Sequence, residues 1–170
     1  AGETQRSDGR YMYRYTDADG VRRSVYSWRL VETDKMPAGK KEDIPLRTAI
    51  KQISRDLEDG IIAGEADGIT VNDLFDSFME FRTDLKERTR MNYFDLYNKH
   101  VRDGFGCKLL GKVKYSDLKR FYFVLNSDHG LSVSTIQSIN AIISQMFEVA
   151  KRDNIIRSNP ADGVMQEVMR

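Results

Sequence analysis

The apolar residues of this chain change their period once, and that change limits what it can fold into. In "RYMYRYT" (10–16) and "RRSVYSWRLVET" (22–33), aromatic and β-branched residues dominate, as strands prefer. Side chains alternate faces along a strand, so Tyr11, Tyr13 and Tyr15 share one side and Arg10, Met12 and Arg14 the other. From Leu46 the period lengthens. Leu46, Ile50, Ile53 and Leu57 fall at i, i+4, i+7 and i+11, one stripe on a helix. "DADG" (Asp17–Gly20) separates the two strand runs as a tight turn, with Gly20 able to take positive φ. The second run is long enough to break near Trp28, which predicts a three-stranded antiparallel sheet. Pro45 sits at the start of the helix, where a missing N–H costs nothing, and Gly60 stops it. The helix stripe is expected to lie across one face of the sheet.

"GIIAGEADGIT" (Gly60–Thr70) carries three glycines and no clear period, so it reads as a linker. Beyond it the pattern is helical throughout. Helices are predicted over about Val71–Arg82, Arg88–Arg102, Ser116–Leu125 and Ser132–Asn154. Their inward stripes are led by Leu74 and Phe75, Tyr93 and Tyr97, Leu118 and Tyr122, and Ile136 and Ile143. Ser132 or Ser134 is the expected N-cap of the last helix, and "SNPADGV" (158–164) is a turn-rich close. The expected domains are therefore 1–60, a sheet with one helix; 61–69, a linker; and 70–165, four helices around a shared core.

Charge is distributed unevenly. Net charge is only +1, but residues 1–41 hold nine Lys/Arg against six Asp/Glu, and residues 42–68 hold three against seven. The head is basic and the middle acidic. No run of eighteen apolar residues could span a membrane, and the polar N-terminus has no signal-peptide core. A single cysteine, Cys107, cannot staple a fold; a cytoplasmic location is expected. The two histidines, His100 and His129, lack metal-ligand spacing to a cysteine or to each other, and no glycine pattern cradles a phosphate. No nucleophile, base and orienting group cluster in the sequence, so no catalysis, metal or cofactor is expected of it.

What the chain does offer is an aromatic and basic strand face. Arg22, Ser24, Tyr26 and Trp28 share one side of the second run. If the tyrosine face lies under the helix, Arg14, Tyr26 and Trp28 point outward. A sheet can enter the major groove, where arginine reads guanine edges or phosphates and aromatics press on sugars and thymine methyls. The same pattern also fits Tyr26 and Trp28 in the core with solvated arginines. A second candidate lies opposite the apolar stripe of the last helix, where Ser134, Thr135, Gln137, Ser138 and Asn140 are short hydrogen-bonding groups suited to bases and phosphates. An ordinary polar helix face is the plainer reading. Lys86, Arg88, Arg90 and Lys99 could grip phosphate, or be a solvated surface.

Two stretches carry a resemblance. "DGRYMYRYTDADG…VYSWRLVETDKMPAGK" resembles the N-terminal arm-site-binding domain of conjugative-transposon integrases. "TVNDLFDSFMEFR…LKERTRMNYFDLYNKHV" and "STIQSINAIISQMFEVAKRDNIIRSNPADGV" are similar to the core-binding domain of tyrosine recombinases, with Asn159–Pro160 at the usual exit. The resemblance implies an α+β chain: a small three-stranded antiparallel sheet with one helix, then an all-α four-helix core-binding (SAM-like) domain. It implies double-stranded DNA as partner, at arm-type and core-type sites, with other integrase protomers as further partners. By position it implies DNA contacts from Arg6, Arg14, Tyr26, Trp28 and Lys40. For the helical unit it points to Lys86, Arg88, Thr89, Tyr93, Thr135, Gln137 and Ser138. Such recombinases cleave with a tyrosine in a further domain. This sequence stops at Arg170, where that domain would start, so the chain as given is expected to bind DNA without cutting it. The competing expectations are a protein-interaction module using the aromatic sheet face and the helical bundle, and an enzyme of unfamiliar type.

Overall fold

The computed structural model describes residues 2–18, 20–61, 66 and 68–168. The chain divides into two compact units, residues 1–62 and 63–170. Most of the expected linker (62–65 and 67) lies outside the described residues.

The first unit is a three-stranded antiparallel sheet in the order β1 (Glu3–Gln5), β2 (Tyr11–Thr16), β3 (Arg22–Ser27), with helix α1 (Leu46–Glu58) packed on β2 and β3. The sheet has the expected number of strands but not the expected third strand. It lies at the N-terminus, where Glu3 pairs with Tyr13 and Gln5 with Tyr11, and not beyond Trp28. The cause is where the backbone donors after Ser27 go. Trp28 donates its N–H to Asp43 Oδ2 at 2.6 Å and Arg29 to Ser27 Oγ at 3.1 Å. Leu30 and Val31 both donate to Asp34 Oδ2. Four successive donors bound to side chains cannot build a ladder. The carbonyls of the same stretch have a different use. Arg29 O and Leu30 O accept the N–H groups of Leu46 and Arg47 at 2.8 and 3.1 Å. They satisfy the first turn of α1, whose N-cap Pro45 makes no side-chain cap bond. At the other end Gly60 adopts φ +66°, the left-handed stop expected there.

The register makes the two faces of the sheet explicit. Tyr13 lies opposite Val25 and Tyr15 opposite Arg23; on the other face Met12 lies opposite Tyr26 and Arg14 opposite Ser24. Tyr11, Tyr13, Tyr15 and Val25 are half-buried, and Tyr13 and Tyr15 stack with centroids 6.2 Å apart. Arg14, Ser24 and Tyr26 are exposed. The alternation follows from α1 covering one face only.

The second unit is helical: α2 (Val71–Phe81), α3 (Glu87–His100), α4 (Tyr115–Ser127), α5 (Val133–Arg152) and a short α6 (Val164–Val168), with two 3-10 turns between α3 and α4. α6 was not anticipated in the turn-rich close; its Val164 is fully buried against the core. α2 begins with a reciprocal cap: Thr70 accepts from Asp73 N while Asp73 accepts from Thr70 N. Ser132, not Ser134, caps α5. The core gathers one stripe from each long helix. Phe75 and Tyr97 stack at 3.6 Å with planes 5° apart, and Ile136, Ile143 and Met146 of α5 are fully buried. Tyr93 of α3, expected inside, is half-buried at the edge of the core, as is Leu96.

Candidate nucleic-acid interface

The open face of the sheet is completed by the turn between β1 and β2. Arg6 N donates to Arg10 O at 2.8 Å and Gly9 N to Arg6 O at 3.0 Å. Gly9 takes φ +87°, a conformation that a Cβ disfavours. This closes the hairpin with Arg6 and Arg10 at its two ends. Both guanidinium groups lie over the Tyr26 ring, Arg6 at 5.4 Å and Arg10 at 5.3 Å from its centroid. Arg10 also lies 5.7 Å from the Trp28 ring, and Lys40 Nζ 4.7 Å from it. Three cations therefore flank two aromatic rings on the face that α1 leaves bare, each within cation–π range. Tyr26 keeps 41% of its surface exposed.

Asp8 organises the turn. One oxygen accepts the Arg10 backbone N–H at 3.0 Å, and the other accepts Arg10 Nε at 3.0 Å and Nη2 at 2.8 Å. Arg6 Nε is 3.7 Å away. The bond from the Arg10 side chain holds the Asp8 carboxyl below its ordinary value, with Arg6 adding a smaller charge effect. Trp28 is held from behind by the bond from its N–H to Asp43, which also pairs with Arg29. Lys40 leaves a turn in which its N–H donates to Pro37 O at 3.2 Å and Gly39 takes φ +76°.

Of the five residues expected in the first unit, Arg6, Tyr26, Trp28 and Lys40 are thus brought together. Arg14 stands on the same face beside Ser24, exposed and without a hydrogen bond or ion pair among the described residues. Arg10 was not among the expected contacts, yet it touches both rings. "SDG" (Ser7–Gly9) was the signal for it, because a turn there makes residues 3–5 a strand and brings Arg10 back beside Tyr26.

The helical unit presents its candidates less compactly. Lys86, the N-cap of α3, and Arg88 in its first turn are exposed; Thr89 is half-buried. Tyr93 faces α5, where its hydroxyl accepts from Gln145 Nε2 at 3.4 Å while Gln145 Oε1 accepts from Arg82 Nη1 at 2.9 Å. Thr135 is tied into the α5 cap, its Oγ1 2.9 Å from Ser132 Oγ. Ser138 Oγ donates to Ser134 O at 3.1 Å, and Gln137 is exposed. The Ser138 proton is thus used within the helix, while its oxygen keeps a lone pair for a partner.

Residues 1–57 match the family described as the DNA binding domain of tn916 integrase. Along 99% of its length this chain is 33% identical to the transposase from transposon Tn916 of Enterococcus faecalis. The chain is similar along nearly its whole length to the N-terminal part of that transposase. It spans 41% of the length of that transposase. In fold it matches the integrase of transposon Tn1549 (residue range 82–397, in complex with circular intermediate DNA) with a TM-score of 0.55. That match is 28% identical and covers 59% of this chain and 32% of that one. The solution structure of a Tn916 integrase N-terminal domain/DNA complex is 53% identical over 32% of this chain and 80% of its own, with a TM-score of 0.31. Among the described residues no helix is long and apolar enough to cross a membrane.

Proposed function

We propose that this chain is a sequence-specific binder of double-stranded DNA within a tyrosine site-specific integrase of a mobile element, acting in the cytoplasm. Residues 1–60 take arm-type sites and residues 70–165 take core-type sites, with 61–69 as the linker between them. A linker of this kind raises the effective concentration at the second site once the first is bound. The observation that carries the reading is the group of Arg6, Arg10 and Lys40 around the exposed Tyr26 and half-buried Trp28 on the bare face of the sheet. A twisted three-stranded sheet fits the major groove, and such a face offers fork donors for guanine or phosphate beside flat apolar surface for sugar and thymine methyl. Arg14 extends the same face toward the β2–β3 turn.

In the helical unit Lys86 and Arg88 supply phosphate contacts, with Thr89, Tyr93, Thr135, Gln137 and Ser138 as the shorter polar contacts. Other protomers of the integrase are further partners of the assembly. The residues here bind and orient DNA and do not cleave it. Burial pushes the phenols of Tyr97 and Tyr122 well above their ordinary range, which suits neither to be a nucleophile.

A salt titration tests the reading. Binding to duplex DNA should weaken linearly on log–log axes, by a slope of about 0.9 for each phosphate contact. A protein-interaction module would show little salt dependence and no preference among duplexes. A covalent adduct between this chain and DNA would overturn the assignment of recognition without cleavage.

A further inference from the structure

We propose that Asp8 is a specificity-determining positioning residue, whose carboxylate fixes Arg6 and Arg10 over the Tyr26 and Trp28 rings and limits how strongly they attract an arbitrary phosphate backbone. The inference rests on the DNA-binding reading above and deepens it.

The geometry separates two things that Asp8 does. Its Oδ1 accepts the Arg10 backbone N–H, which shapes the turn; its Oδ2 accepts both Nε and Nη2 of the Arg10 side chain. Arg10 is thereby held along its Nε–Nη2 edge, which leaves the Nη1 donors and the second Nη2 donor in a fixed plane for a partner. An arginine on a free stem would reach any nearby phosphate. Arg6 Nε lies 3.7 Å from the same Oδ2. One carboxylate therefore stands between two guanidinium groups, in the place where a phosphate would otherwise be drawn. A phosphate must meet a patch with one unit of positive charge removed, while a base edge that matches the fixed donors meets no comparable penalty. Specificity is a difference of two affinities, and a built-in repulsion toward the general competitor widens it.

Asn at this position keeps an oxygen for the Arg10 N–H and removes the charge together with the oxygen that accepts Arg10 Nε and Nη2. The probe is a duplex selected from a random-sequence pool by the full wild-type chain, set against a scrambled duplex of the same composition. Anisotropy titrations are made across a range of salt. Asp8→Asn should bind the scrambled duplex about fivefold more tightly, the effect of one unit charge near 4 Å in water. Its preference for the selected duplex should fall by at least that factor. Its salt slope on scrambled DNA should steepen by up to about 0.9. Asp8→Glu, which restores the charge, should recover most of the preference. If circular dichroism shows that Asp8→Asn loses the hairpin, Asp8→Ser keeps an acceptor for the same amide and gives the same readout. An unchanged preference and slope, or equal weakening on both duplexes, would overturn the inference while leaving DNA binding intact. Failure of the wild type to select any duplex would instead remove the DNA-binding reading itself, and this inference with it.

Discussion

Truncating Tyr26 to alanine separates a recognition surface from a structural one. The ring is 41% exposed, on the face away from α1, and its cross-strand neighbour is Met12. Removing it opens no cavity beneath the helix. The intramolecular loss is two cation–π contacts, from Arg6 at 5.4 Å and Arg10 at 5.3 Å, each worth about 0.5 kcal/mol at an exposed site. The lost Met12 pair adds about 0.5 kcal/mol. The first unit should therefore lose about 1.5 kcal/mol and stay folded. Binding should suffer more. The ring is itself a central contact, and its loss also leaves Arg6 and Arg10 without the surface that positions them. An exposed aromatic that becomes buried against a partner as an anchor costs about 2–3 kcal/mol of binding when truncated, which is a roughly 30- to 150-fold rise in Kd. The assay is direct because Trp28 is the only tryptophan in the chain and lies in the same cluster. Its fluorescence should change on titration with a selected duplex, and the midpoint should move in Tyr26→Ala. An unchanged Kd with an unchanged melting temperature would mean that this face is not where DNA binds. Collapse of the fold would mean that the ring holds the sheet together.

Three further outcomes test the helical unit. A Cβ at Gly106 would fall 2.0 Å from Asn72 Oδ1, the acceptor of the Tyr97 hydroxyl, so Gly106→Ala should cost about 2–3 kcal/mol, read by chemical denaturation; a neutral result would show that Asn72 moves aside freely. The Tyr122 hydroxyl is buried with no hydrogen-bond partner among the described residues, so Tyr122→Phe should raise the melting temperature, by the equivalent of up to about 1 kcal/mol; a lower melting temperature would reveal a bond that the hydroxyl makes. Bonds from Thr70 hold the Asp73 carboxyl below its ordinary 3.8. Because its folded value is depressed, its contribution is complete above 3.8 and lost as pH falls through that lower value. The stability gap between the wild type and Asp73→Ala should thus close on acidification below that range, and a gap independent of pH would refute the cap's electrostatic role.

Much of the fold was legible because it is written in local periods. The stripes at Leu46, Ile50 and Leu57, or at Ile136 and Ile143, repeat with the helix because each turn returns a side chain to the same side. The tyrosines of β2 and the arginine and aromatic residues opposite them were sorted in the same way, by the two-residue pleat. That sorting placed Tyr26 on the side opposite Val25. It left undecided whether that side would be open at all, which depended on α1 covering one face and not the other.

Long-range hydrogen bonding decided the rest. "ETQ" (Glu3–Gln5) has no apolar alternation, so nothing local marks it as a strand; it becomes one by pairing with β2 across the turn at Ser7–Gly9. The run after Trp28 has the composition of a strand but gives its N–H groups to Ser27, Asp34 and Asp43. Those competing acceptors, one of them fifteen residues away, outweigh β propensity. The sequence alone settles periods and therefore faces, because these arise from the sterics of neighbouring residues. Which strand lies at the edge, which arginine lies over Trp28, and which carboxylate stands between two guanidinium groups depend on residues that meet only when the chain has folded.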